Sequence, residues 1–128
     1  MKRWTLWMIS IVFLINCAAN VPHFYNRDGW SYHQTKKSFQ NVLVLSDQSM
    51  IEEKVEPVIP KNKQVKGKKA EVKVRVDKDG KVEAVIIQKG IPEQSLELVT
   101  AARQSRYKIY RTPQGKARHY VLIVEYRF

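Results

Sequence analysis

The chain has 128 residues with one cysteine, and its 23 basic residues against 12 acidic residues give a formal net charge of +11. This length allows one small domain and a tether, and a single cysteine excludes both an intramolecular disulfide and a cysteine-rich zinc site. The sequence has no glycine-rich phosphate loop, no paired metal-ligand spacing and no recognisable Ser, His and Asp signature. We therefore predict that the protein is not an enzyme and has neither a metal nor a cofactor.

The N-terminal residues have the pattern of an export signal. Lys2 and Arg3 are followed by an uncharged run, residues 4 to 15, and then by small residues. The run is short for a transmembrane helix, which needs about twenty apolar residues. We predict a cleaved signal peptide over residues 1–16, with an uncleaved membrane helix over residues 4–19 as the alternative.

The single cysteine, Cys17, closes this apolar run. Residues 14 to 17 are Leu-Ile-Asn-Cys and look like a bacterial lipobox, in which cleavage before the cysteine leaves an N-terminal cysteine that carries lipid. Asn16 stands where such signals usually have Gly, Ala or Ser. We predict lipid attachment at Cys17, which would make the protein a membrane-anchored lipoprotein of the cell envelope that faces the periplasm.

The next part of the chain, residues 17–66, is predicted to be the lipidated N-terminus and an extended tether. Within it, residues 40 to 46, QNVLVLS, have the composition of a short strand. Pro57 and Pro60 each fix φ and remove a backbone donor, which favours extended structure around them.

A dense basic run lies at the end of the tether. Residues 61 to 69 contain five lysines and no acid. Such a run suits nucleic acid or an anionic membrane surface, but it contains no aromatic residue on which a base could stack. An exported protein would also not meet nucleic acid. We therefore predict a solvated basic linker and no nucleic-acid partner.

After this run the apolar residues follow the periods of strands and of one helix. Residues 70 to 76 and 81 to 88 alternate and are predicted to form a β-hairpin around the Asp-Gly turn at 79 and 80. Residues 93 to 105 carry an apolar stripe at helical spacing, and a last strand lies within residues 117 to 128. These elements predict a small two-layer α+β fold in the order strand, strand, helix, strand. Its antiparallel sheet would be covered on one face by the helix.

The last strand has two different faces. The alternation predicts a core face made of Tyr120, Leu122, Val124, Tyr126 and Phe128. The other face carries His119, Val121, Ile123, Glu125 and Arg127. His119 on that face is predicted to be a solvated residue and not a catalytic base.

In their order, these residues resemble the C-terminal domain of TonB-type energy transducers. The resemblance begins with the proline-marked lead-in at residues 55 to 60 and the hairpin at residues 72 to 85. Further matching positions lie in the helix and near the end of the chain: Leu96, Glu97, Ala101, Ala102, Pro113, Gly115 and Phe128. We therefore assign residues 67–128 to a TonB C-terminal-like domain. The chain departs from a full transducer because no long proline-rich spacer precedes this domain.

The resemblance implies a protein-binding module with a part in transmembrane transport. Domains of this family pair strand to strand with a short segment of outer-membrane receptors, for which a sheet edge supplies free N–H and C=O groups. We predict that the last strand, residues 118 to 127, is this edge, with four partner-binding residues: Val121, Ile123, Glu125 and Arg127. The alternative is that this strand is central, or is capped by residues 40 to 46. Such an edge would also allow a homodimer formed by strand exchange.

Two other functions stay open for this chain. One is a short energy transducer in which residues 4–19 form an uncleaved membrane helix, and the other is a structural envelope lipoprotein without a transport role. The missing spacer speaks against the transducer. Only a binding experiment separates an interaction module from a structural lipoprotein.

Overall fold

The computed structural model describes residues 24–60, 67–90 and 94–127. The predicted signal peptide over residues 1–16 and the candidate lipid site Cys17 lie outside these ranges, as do the first six residues of the basic run.

Within these ranges there are two α-helices and nine β-strands. The helices are α1 (Tyr32–Ser38) and α2 (Ser95–Gln104), and a 3-10 helix covers Gln48–Met50. The strands are β1 (Phe24–Asn26), β2 (Val44–Leu45), β3 (Ile51–Glu53), β4 (Lys69–Val76), β5 (Val82–Lys89), β6 (Arg106–Tyr107), β7 (Tyr110–Arg111), β8 (Ala117–Arg118) and β9 (Tyr120–Arg127). The fold is mixed α/β, and most of its strand pairs are antiparallel.

Five of the strands form one sheet in the order β1-β5-β4-β9-β2, in which only β2 and β9 run parallel. Two small sheets join β3 to β6 and β7 to β8. The predicted hairpin is present as β4 and β5. In its turn the Asp77 carboxylate accepts hydrogen bonds from the N–H groups of Asp79 and Lys81, at 2.8 and 2.9 Å. Gly80 has a φ of 80°, a conformation that glycine adopts without steric cost.

The main core lies between the sheet and α2. The helix buries Leu98 and Ala102 against the alternate valines of β4, Val72, Val74 and Val76. The core face predicted for the last strand is confirmed for its four described members, which are all 0 % exposed: Tyr120, Leu122, Val124 and Tyr126. Burying one valine or leucine side chain stabilises the fold by about 1.5–3 kcal/mol, so this layer dominates the stability.

A second helix covers the opposite face of the sheet, and the prediction of one helix on one face is therefore wrong. α1 lies beside β1 and β5. Phe39, directly after α1, packs with Ala84, Ile86 and Val121 in a second, smaller core. Residues 24–53, predicted to belong to an extended tether, instead contribute two strands of the main sheet and α1. The short strand predicted within residues 40 to 46 is present as β2.

Side-chain hydrogen bonds fix α1, which is too short to be stable by itself. The helix begins at a capping box, in which Ser31 Oγ accepts from the N–H of Gln34 at 3.2 Å and Gln34 Oε1 accepts from the N–H of Ser31 at 3.0 Å. Asn26, at the end of β1, donates to Thr35 Oγ1 at 2.8 Å. The start of the helix is thereby tied to the sheet.

Candidate functional site

The candidate site is the outer side of β9, the strand on which partner binding was predicted. β9 pairs with β4 along its whole length. On its other side, β2 pairs only with Val121 and Leu122. Among the described residues no strand covers the outer side of residues 123 to 127, which we call the β9 edge.

The four predicted partner-binding residues divide between these two parts of β9. Val121 is 0 % exposed and packs in the second core beside Phe39. Its predicted exposure is therefore wrong, because α1 brings Phe39 onto this face and β2 caps the strand here. Ile123 and Glu125 are half-buried and Arg127 is exposed, and these three lie on the β9 edge. The part of all four residues in partner binding stays a prediction.

The side-chain amide of Gln48 closes the middle of the β9 edge. Its Nε2 donates to the carbonyl of Ile123 at 2.7 Å, and its Oε1 accepts from the N–H of Glu125 at 3.2 Å. In a parallel pair, the N–H and C=O of one residue bond to the two residues on either side of the residue opposite it. The Gln48 amide bonds to β9 in this same way. The register of β2 on β9, continued by two residues, would place the backbone of Asp47 in this position. The Gln48 amide therefore replaces a continuing β2 backbone.

The chain leaves the sheet at Asp47 because a new helical turn begins there. The Asp47 carboxylate accepts from the N–H of Ser49 at 3.0 Å, and its carbonyl accepts from the N–H of Met50 at 3.1 Å. These bonds start the 3-10 helix. The hydrogen bonds from Ser49 also hold the pKa of Asp47 below its ordinary value.

Lys54 closes the next position along the β9 edge. Its Nζ donates to the carbonyl of Glu125 at 2.6 Å. The same ammonium lies 4.9 Å from the centre of the Tyr126 ring and 3.7 Å from Glu56 Oε1. We call Gln48 and Lys54 together the side-chain cap. The cap satisfies one N–H group and two carbonyl groups that a neighbouring strand would otherwise bind.

The segment that carries the cap is held by its backbone at other places. β3 pairs with β6, and the carbonyl of Met50 accepts from the N–H of Lys108 at 2.9 Å. The N–H of Val55 donates to Ser105 Oγ at 2.9 Å. Because these anchors do not involve the cap, the two cap side chains can move while their backbone stays in place.

An open groove runs outside the β9 edge. It is lined by Gln48, Lys54, Glu56, Glu125 and Arg127. Two basic and two acidic side chains therefore face the same space as the edge backbone. A groove of this kind offers hydrogen bonds and charge to an extended peptide, but no deep apolar cavity for a small molecule.

A second cluster of charged side chains lies on the α1 face of the sheet. Glu83 is 6 % exposed, and its carboxylate bonds to His119 Nδ1 and lies 3.8 Å from Arg75 Nε. Arg75 also donates to the carbonyl of Ser38 at the end of α1, at 2.8 Å. His119 is exposed, as predicted, and one of its ring nitrogens also bonds to this buried carboxylate. The cluster neutralises Glu83 and holds the end of α1 on the sheet.

The aspartates of the hairpin turn have a structural role. Burial alone would raise the pKa of Asp77, but hydrogen bonds from Arg27, Lys81 and Asp79 together hold this pKa below its ordinary value. The Arg27 bond measures 2.8 Å. Over the described ranges, no group of three or more His, Cys, Asp and Glu residues could hold a metal ion.

Comparisons of the chain with models of known protein families, with curated proteins and with solved structures gave no match in any of the three. The resemblance to the TonB C-terminal domain therefore stays a prediction from the residues. Neither helix in the part of the chain that the structure describes has the length and apolar character needed to cross a membrane. The alternative membrane helix over residues 4–19 lies outside that part.

Both residues of the cap were missed by reasoning from the sequence. Gln48 binds β9 groups that are 75 and 77 positions away, and Lys54 binds a group 71 positions away. Side-chain hydrogen bonds over such distances have no sequence period. The one readable signal was an aspartate, Asp47, followed by polar residues directly after a short apolar run, which marks a strand end and a helix start.

Proposed function

We propose that this chain is an envelope-anchored interaction module that resembles the TonB C-terminal domain and binds an extended partner segment by strand addition at the β9 edge. The observation that carries the proposal is the closure of this edge by two side chains in place of a strand. Three backbone groups point to where a partner strand would lie: the N–H and C=O of Glu125 and the carbonyl of Ile123. They are bonded to the side chains of Gln48 and Lys54, which a partner backbone could replace. Extended peptides add to sheet edges in several peptide-binding domains.

The cellular place and the partner class rest on the sequence. The export signal over residues 1–16 and the lipobox at Cys17 support a lipoprotein that faces the periplasm. The family resemblance supports a segment of an outer-membrane receptor as the partner. The exposed Arg127 and the half-buried Ile123 and Glu125 would contact the side chains of this segment, because they lie on the same edge as the binding backbone.

A structural envelope lipoprotein is the second candidate, and one observation favours it. The side-chain cap satisfies the groups of the β9 edge without any partner. In that case Gln48 and Lys54 would be permanent parts of the fold. The short energy transducer stays an alternative that depends on residues 4–19.

The proposal is tested by NMR titration of the isotope-labelled full-length chain in detergent micelles. The probes are synthetic peptides with the sequences of N-terminal receptor segments, and the control is the same peptides with N-methylated backbones. We expect amide shifts concentrated in residues 118 to 127, which the N-methylated peptides do not produce because they cannot donate to the edge. If millimolar peptide causes no shifts in these residues, strand addition is excluded and the structural role takes its place.

A further inference from the structure

We infer that the side-chain cap is a gate that competes with the partner strand for the β9 edge and so sets the affinity of binding. The inference rests on the proposed function, because a gate needs a ligand to compete with. The cap and a partner backbone would use the same groups: the N–H of Glu125 and the carbonyls of Ile123 and Glu125. An N–H group donates one good hydrogen bond at a time, so the Gln48 amide must leave before a strand binds, and the Lys54 ammonium competes for the Glu125 carbonyl.

The gate opens by movement of side chains alone. The backbone around it stays fixed through the pairing of β3 with β6 and through the bonds of Met50 and Val55. Gln48 is half-buried and the Lys54 side chain is 33 % exposed, so the freed amide and ammonium can turn into the groove and bind water. Rotamer changes of exposed side chains take picoseconds to nanoseconds, which is fast compared with the arrival of a ligand.

β2 cannot act as a gate in the same way. β2 pairs with β9 through backbone groups, and the carbonyl of Leu43, directly before β2, also accepts from the N–H of Val121 at 2.7 Å. Leu45 also packs against the main core. Removal of β2 would therefore break backbone pairs and expose apolar surface, whereas opening the cap does neither. The competition is confined to residues 123 to 127.

A gate of side chains also explains how an open edge is kept from pairing with other copies of the chain. An exposed edge is a template for unwanted strand pairing, and proteins usually block it. The cap blocks the β9 edge against weak, accidental pairing. A partner that makes a full set of backbone bonds can still replace it.

The test compares the affinity of the receptor-segment peptides for three forms of the full-length chain: wild type, Gln48→Ala and Gln114→Ala. Gln114 is an exposed glutamine in the turn between β7 and β8 and serves as the matched control. Loss of the two Gln48 bonds should tighten binding by about three- to tenfold, because the β9 edge is then free to bind the peptide for a larger fraction of the time. Lys54→Met, which removes the ammonium from the Glu125 carbonyl and from the Tyr126 ring, should tighten binding by a smaller factor.

The outcomes separate the gate from the proposed function. Tighter binding by Gln48→Ala with no change in Gln114→Ala supports the gate. Equal affinity of Gln48→Ala and wild type overturns the gate and leaves strand addition intact. Absence of binding to both forms overturns the proposed function and the gate together. If Gln48→Ala does not fold, Gln48→Met keeps the side-chain length but loses both hydrogen bonds to the edge, and the same tightening is expected.

Discussion

The two halves of β9 are closed on their outer side in different ways. In residues 120 to 122, all three pair with β4, Val121 and Leu122 also pair with β2, and Val121 is fully buried. Residues 123 to 127 have β4 on one side, and on the other side the described part of the chain supplies only the side-chain cap. The core face is apolar in both halves, but the other face changes from Val121 and Ile123 to the charged Glu125 and Arg127. The change in closure comes where the neighbouring chain turns away at Asp47.

The two halves of β9 are also expected to differ in what they contribute, the first to stability and the second to binding. The first half is buried on both faces. The second half is buried on the face toward α2, and its outer edge is open to solvent. We expect substitutions in the first half to unfold the protein and substitutions at the edge to change what it binds.

The largest effect is expected from an aspartate placed in the first half. Val121→Asp buries a charge without a partner and should lower the free energy of unfolding by about 3 kcal/mol or more. Ile123→Asp, two residues away on the same face, should lower the free energy of unfolding by about 1 kcal/mol. Ile123 is only half-buried, so the carboxylate would keep contact with water. Urea denaturation of both variants measures the contrast. Equal losses would show that the two halves are buried alike.

An alkaline titration tests the burial of the core face of β9, which both halves share. Burial raises the pKa of Tyr120, in the first half, and of Tyr126, in the second half, to about 12 each. The unfolded pKa is about 10, so the folded state holds these protons more tightly. The stability they contribute is complete below pH 10 and falls as the pH rises from about 10 towards 12.

The free energy of unfolding, measured by urea denaturation between pH 8 and pH 11.5, follows this fall. Tyr126→Phe removes one of the buried tyrosines whose pKa is raised, and it should make the fall shallower. A free energy that stays constant across this range would mean that the tyrosines are not buried in solution.

Removal of the Gln48 amide should have a moderate effect on stability. Gln48→Ala deletes two hydrogen bonds to the edge, and we expect a loss of about 0.5–1.5 kcal/mol in the free energy of unfolding. Gln114→Ala should be neutral within about 0.5 kcal/mol. A loss above 3 kcal/mol for Gln48→Ala would show that the cap is a structural element and not a gate.

The smallest effect is expected from the ammonium group of the cap. Lys54→Met loses the bond to the Glu125 carbonyl and the contacts of the ammonium with the Tyr126 ring and Glu56. Contacts of a partly exposed charge are weak, so the stability should change by about 0.5 kcal/mol or less. The difference from wild type should shrink further in high salt, because the charge is partly exposed. Thermal unfolding at low and high salt measures the loss of stability and its dependence on salt. A loss that grows with salt would contradict this prediction.

The regular elements of the fold could be predicted because their residues repeat. The alternation of Val72, Val74 and Val76 and the Asp-Gly turn indicate the hairpin, and the stripe with Leu98 and Ala102 indicates α2. The elements before residue 60 were mostly missed. β1 and β3 have three residues each and α1 has seven, which is too short for a period to appear. The capping box at the start of α1 was a readable signal.

The candidate site could be predicted only in part. The strand and the alternation of its faces follow from the sequence, but Val121 was assigned to the open face. Its burial depends on Phe39, which arrives from a segment whose polar composition suggested a tether. The cap depends on one turn of the backbone at Asp47 that aims Gln48 at β9. Such long-range contacts become visible only in three dimensions.

Hydrogen exchange of two backbone amides in β9 tests the central claim most directly. The N–H of Val121 donates to a backbone carbonyl and the N–H of Glu125 donates to the Gln48 side chain. In the free full-length chain we predict that the Glu125 amide exchanges at least about tenfold faster than the Val121 amide, because side-chain movement frees it without local unfolding. In Gln48→Ala the Glu125 amide should lose its local protection and exchange faster still, while the Val121 amide should change only by the loss of global stability. Equal protection of the two amides in wild type would contradict the gate, since the whole of β9 would then open only with the fold.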